Sequence, residues 1–154
     1  MCRQLLYLTG DIYFMILFKD DNLTIEYNEE VKIYTFTIHY KSIGDDEFIR
    51  LLGTILAVLK EKRPSYYISD HRQGGLLSVK SQSYVNEIFF PQITDFVKQI
   101  AFIVPKDIFA KAAQGNVVRK NKNVFIVEFE TLEEGISWAK EKTENEHIQN
   151  KVSV

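Results

Sequence analysis

The feature that most constrains this chain is a change of hydrophobic period at Gly44. Before it, apolar and polar residues alternate, first in Leu23-Thr-Ile-Glu-Tyr27 and again over 31–40, the pattern of half-buried strands with side chains alternating between two faces. After it, Phe48, Leu52, Ile55 and Leu59 recur at helical spacing. Asp45 is positioned to cap this helix, and Pro64 to stop it behind a basic last turn. From there the two periods take turns. A strand is predicted over 66–70, a helix from Ser78 that Pro91 must kink, a strand over 100–104, and a short helix opened by Asp107 with Gly115 as its stop. A polar connector over 116–123, a strand over 124–129 and a last helix opened by the capping box Thr131-Leu-Glu-Glu134 complete the series.

Strands that alternate with helices dictate an α/β fold with a mainly parallel sheet, here of five strands with an antiparallel N-terminal edge strand and about four helices. In β-period segments such as 31–40 the two faces differ, Tyr34, Phe36, Ile38 and Tyr40 opposing Thr35, Thr37 and His39. We therefore expect the helices to cover mainly one face of the sheet. The expected organisation is an apolar N-terminal extension over 1–16, one domain over 17–142 and a polar tail over 143–154 that frays. The extension reads as an added strand, as a hairpin turning at Thr9-Gly10-Asp11, or as a segment preceding a domain that begins near Met15. It is too short for a spanning helix and lacks the basic start and small-residue cleavage site of a secretory signal.

Composition narrows function chiefly by exclusion. A net charge of -2 over 154 residues provides no global field for nucleic acid or an anionic membrane surface. One cysteine, Cys2, rules out an intrachain disulfide framework and suits a reducing cytoplasm. His39, His71, His147 and Cys2 show no metal-ligand spacing, Gly74-Gly75 lacks the pattern of a phosphate loop, and no cofactor is implied. Arg119-Lys-Asn-Lys122 reads as a solvated basic loop, and Tyr66, Tyr67, Phe89, Phe90 and Trp138 as packing.

The stretch most suggestive of function is Tyr66-Tyr-Ile-Ser-Asp-His-Arg-Gln-Gly-Gly75, an apolar run that empties into charge and glycine. Carboxyl ends of parallel strands are where ligands gather in open sheets, which makes Asp70, His71 and Arg72 candidates for contact with a ligand or partner, with Ser78 at the next helix start and Glu87 two turns on. Arg72 offers a donor fork to an anion and Asp70 an acceptor; the competing role is a mutual ion pair that holds the loop. His71 follows Asp70 on a strand, so the two point to opposite faces, and no catalytic constellation is evident.

The order of Leu23-Thr-Ile-Glu-Tyr27, Ser69-Asp-His-Arg72, Asn86-Glu87 with Phe90-Pro91, the run over 100–105 followed by Lys106-Asp-Ile-Phe109, and Phe129-Glu-Thr-Leu-Glu-Glu134 resembles the SpoIIAA-like proteins of the STAS/Sec14 superfamily, over about 17–142. The resemblance implies a right-handed superhelix of alternating strands and helices. It also implies a non-enzymatic regulatory or protein-interaction module, with a small-molecule or lipid carrier of Sec14 type as the alternative. The expected partners are a protein, a second copy of the chain, or a small lipophilic or anionic ligand. In anti-sigma antagonists of this kind the third strand runs into an Asp-Ser-Ser/Thr-Gly turn whose hydroxyl is phosphorylated; here Asp70 is followed by His71 and Arg72, which departs from that switch.

Overall fold

The structure, a computed structural model, describes residues 4–9 and 12–153. Among them, seven strands form one sheet in sequential order: β1 (Gln4–Thr9), β2 (Ile12–Lys19), β3 (Leu23–Asn28), β4 (Ile33–His39), β5 (Tyr66–Gln73), β6 (Gln99–Ile103) and β7 (Phe125–Phe129). Pairing is antiparallel from β1 to β4 and parallel from β4 to β7. The α/β class predicted from the change of period is what the chain adopts, with seven strands in place of five. The two additional strands lie in the N-terminal segment, so β3 is an interior strand and not the edge. The boundary drawn at residue 16 falls inside β2. The turn proposed at Thr9-Gly10-Asp11 includes Gly10 and Asp11, which lie outside the described residues.

Three crossovers connect the parallel strands. The first is α1 (Asp45–Lys62) and the third is α3 (Ile108–Lys120). The second begins as α2 (Val79–Tyr84), continues as a π-turn (Val85–Phe89) and closes in a 3₁₀ turn (Phe90–Gln92). These three pack on one face of the sheet, where Phe36, Ile38, Tyr67 and Ile100 meet Phe48, Ile55, Phe89, Phe90 and Val117. The other face is covered by α4 (Leu132–Val152), whose Ile136 and Ala139 rest on Ile68, Ala101 and Ile103. Gly135 permits this approach, since a Cβ there would lie 2.7 Å from Ile103 Cδ1. Coverage is thus three helices against one, and Thr24, Glu26, Thr37 and His39 on the second face remain only partly buried.

Helix boundaries depart from the sequence reading at three places. Gly44, not Asp45, is the N-cap of α1, and it supplies no side-chain hydrogen bond. A cap contributes about 1 kcal/mol, whereas each of the buried side chains Phe48, Leu51, Leu52, Ile55 and Leu59 is worth about 1.5–3 kcal/mol, so packing decides where α1 forms. Gly115 does not end α3, which continues to Lys120 and takes in much of the expected connector. Residues 143–152, expected to fray, extend α4, with Lys98 Nζ 2.8 Å from Glu146 Oε1 tying the helix to the start of β6.

Pro91 acts as expected, and the backbone around it shows how. Proline has no N–H to give and its ring displaces the preceding turn. The chain answers by widening into the π-turn, in which Phe90 N–H reaches Val85 O, and then tightening into 3₁₀ geometry. Carbonyls released from the regular ladder are met by side chains: Asn123 Nδ2 donates to Asn86 O at 3.3 Å and Gln92 Nε2 to Ile88 O at 2.9 Å. The Gln92 link is local, whereas the Asn123 amide ties the widened turn to the segment before β7.

Candidate functional site

Strand β5 sorts its residues by parity. Tyr67, Ser69 and His71 face the three-helix layer, while Ile68, Asp70 and Arg72 face the side of α4. The five residues singled out from the sequence occupy four separate places.

Asp70 and Arg72 form a closed pair. Asp70 is only 2% exposed, and it accepts from Arg72 Nε at 3.0 Å and from Nη2 at 2.9 Å, a bidentate fork that also fixes the backbone N–H of Arg72 at 3.1 Å. Their carboxylate and guanidinium satisfy one another, the arrangement the mutual ion-pair role describes. Across the sheet, Glu26 titrates above the ordinary carboxylate range, first because it is partly buried and second because of the charge on Asp70. Glu87 does not face this pair. It is exposed in the π-turn and lines a broad groove with Asn86, Lys120 and Lys122.

Ser78 serves the frame of the molecule. Its Oγ caps α2 by accepting from Ser81 N–H at 3.0 Å and donates to Asp45 Oδ1, which also receives Ser81 Oγ at 2.7 Å. The two hydroxyls hold the Asp45 carboxyl below the usual range and bind the first turn of α1 to the first turn of α2.

His71 is different. Its ring stacks on Phe102 with centroids 4.3 Å apart, and Nε2 lies 2.7 Å from Ser69 Oγ. Burial lowers its pKa to about 4, against smaller opposing contributions from the Asp70 charge and the Gln114 side chain. At neutral pH the imidazole is uncharged, with one donor and one acceptor nitrogen. Gln114, from α3, is 2% exposed; its Nε2 donates to Gly75 O at 3.1 Å. The Gln114 side chain also hydrogen-bonds to the His71 ring, the smallest of the three influences on its titration; His71 Nδ1 and Gln114 Oε1 are the atoms of the pair that the Ser69 and Gly75 contacts leave over.

Ser69, His71 and Gln114 line a cavity of about 70 Å³ between the sheet and the three helices, whose other walls are apolar and include Phe36, Leu52, Phe89 and Phe90. Ser69 and Gln114 went unmarked in the sequence. Ser69 was accessible, because residues two apart on a strand share a face. Nothing in the order of residues announces that Gln114 meets β5, since that contact joins positions 39 residues apart.

Among the described residues no cluster of His, Cys, Asp or Glu is arranged to hold a metal, and no helix is long and apolar enough to cross a membrane. Compared with known proteins, the chain matches no family model, no curated protein and no solved structure.

Proposed function

We propose that the protein is a non-enzymatic binding module that holds a small, mainly apolar molecule between its sheet and the irregular second crossover. The observation that carries this reading is the interior cavity, with apolar walls and a single polar set, Ser69, His71 and Gln114. Ligand sites have this composition: hydrophobic lining gives affinity and a few fixed polar groups give orientation. Cavity size selects the occupant. An apolar cavity of about 150 Å³ takes up benzene, so one of about 70 Å³ suits a smaller or thinner molecule. Larger, lipid-like guests require the π-turn to yield. A carrier of the Sec14-like kind is consistent with this geometry, and so is a regulator of SpoIIAA-like type that responds to such a ligand.

Xenon titration followed by NMR, together with native mass spectrometry of the purified protein, tests the reading. Saturable shifts confined to Phe89, Phe90 and Ile100, or a retained neutral molecule, support it. A mass spectrum of bare protein combined with no saturable xenon response removes it.

A second reading, as a protein-interaction module, has its own observation. Leu76 and Val79 after β5, and Ile108 and Phe109 after β6, are 55%, 76%, 74% and 71% exposed at the carboxyl ends of neighbouring parallel strands. The cleft beside them is lined by Lys41 and Lys106, together with Asp107 and the Asp70-paired Arg72. Apolar side chains flanked by cations suit a protein segment in which leucine-like residues alternate with carboxylates. Binding of such a peptide, weakening as salt rises, supports this surface. Concentration-dependent self-association without peptide binding assigns it instead to a second copy of the chain.

A further inference from the structure

Resting on the second reading, in which the carboxyl-end surface is a protein-interaction site, we propose that its partner is the distal part of α4 from a second copy of the chain. The surface asks for two things at once: apolar side chains to cover Leu76, Val79, Ile108 and Phe109, and carboxylates to meet the lysines beside them. Its own groups leave that demand open. Arg72 is paired with Asp70, and Asp107 caps α3 by accepting from the N–H groups of Phe109 and Ala110. Neither Lys41 nor Lys106 has a carboxylate partner among the described residues.

Helix α4 supplies both. Glu141, Glu144, Ile148 and Val152 recur at spacings of three, four and four, so they lie along one face of the helix. All four are exposed, Ile148 at 59% and Val152 at 78%. The residues that α4 turns inward, Ile136, Ala139, Thr143 and Glu146, follow the opposite face. Neither Glu141 nor Glu144 is in an ion pair among the described residues. A helix that presents apolar side chains one turn apart beside charge is the kind that lies in a partner's groove. The chain thus carries both halves of a complementary pair, which favours a second copy over a foreign protein. The halves lie at opposite poles. Lys98, 2.8 Å from Glu146, precedes β6, so the distal turns of α4 are at the amino ends of the parallel strands, whereas the cleft is at their carboxyl ends. Association is therefore head to tail, each molecule giving a helix at one pole and receiving one at the other.

Sedimentation velocity over concentrations up to about 1 mM provides the test. Wild type should grow in mass with concentration and lose most of that growth in about 1 M salt, where the screening length is about 3 Å. Ile108→Ser with Phe109→Ser removes the receiving surface, and Ile148→Ser with Val152→Ser the donated one. All four residues are exposed, so both variants should fold, and each alone should sediment as a monomer. Mixed in equal amounts they should form a dimer and nothing larger, because one intact helix then meets one intact cleft. A mixture that stays monomeric, or a wild type that does, overturns the pairing. An unrelated peptide bearing leucines and glutamates tests the surface separately. If it binds wild type while the mixture stays monomeric, the surface stands and its partner is a foreign protein; if neither associates, the carboxyl-end surface is not an interaction site.

Discussion

The two sides of β5 place polar side chains one residue apart under opposite rules. Toward α4, the Asp70 carboxylate and the Arg72 fork meet within 3.0 Å as an ion pair. Toward the three-helix layer, Ser69, His71 and Gln114 form a neutral set, the hydroxyl 2.7 Å from the imidazole, beside an apolar cavity. The charges of the first side are spent largely on each other. The neutral side borders the open space. Ionised residues at a strand end are therefore a poorer guide to a cavity than the strand parity that delivers the neutral ones.

The contrast can be broken experimentally. The largest effect belongs to Asp70→Ala, which strands a guanidinium that is about one quarter exposed; a loss of about 3 kcal/mol in urea unfolding is expected, with xenon uptake by the remaining folded protein unchanged. Loss of xenon uptake in the folded variant would show that the two sides are coupled. Next comes acid. The unfolded chain protonates His71 near 6.5 and the folded chain only at about 4. The unfolded state thus binds the extra proton inside that window, so stability is full above about pH 6.5, falls as pH drops toward 4 and then levels off, a change of about 3 kcal/mol. His71→Phe should lack this part of the acid dependence, and identical pH profiles for wild type and variant would count against a buried neutral imidazole.

Ser69→Ala removes one hydrogen bond and should cost about 1 kcal/mol. Its sharper readout is the ring: without the serine hydroxyl beside Nε2, the tautomer balance of His71 should change in ¹⁵N spectra. Smallest in stability is the double change Ile108→Ser and Phe109→Ser, expected within about 0.5 kcal/mol of wild type because both residues are exposed. It should nonetheless abolish binding of the apolar, acidic peptide. Retained peptide binding would remove the carboxyl-end surface from consideration.

Much of the architecture was legible because it rests on periodicity. Strands β3 to β7, the cap of Asp107 on Phe109 and Ala110, and the capping box of Thr131 with Glu134 all follow from local patterns. What escaped was decided by longer-range packing or by helix chemistry without an apolar stripe. Gly115 costs α3 about 1 kcal/mol relative to alanine, but Ala110, Gln114 and Val117 are buried on both sides of it and carry the helix through. The end of α4 buries no side chain and has no apolar stripe, Ile148 and Val152 being exposed, but its glutamates, glutamine and lysine favour helix by propensity. For the site, parity along β5 was enough to separate Asp70 from His71, whereas Gln114 could be placed only by knowing how α3 lies against Gly75.

The widened turn over Val85–Phe89 holds one residue more than a regular helical turn between the same anchors would need. Deleting a single residue there offers the backbone a return to uniform α geometry with both anchors in place, since residues three or four apart share a helix face and Val85 and Phe89 stay inward. A single-residue deletion should for this reason be tolerated better here than in the regular turns of α1, where it swings the flanking side chains by about 100°.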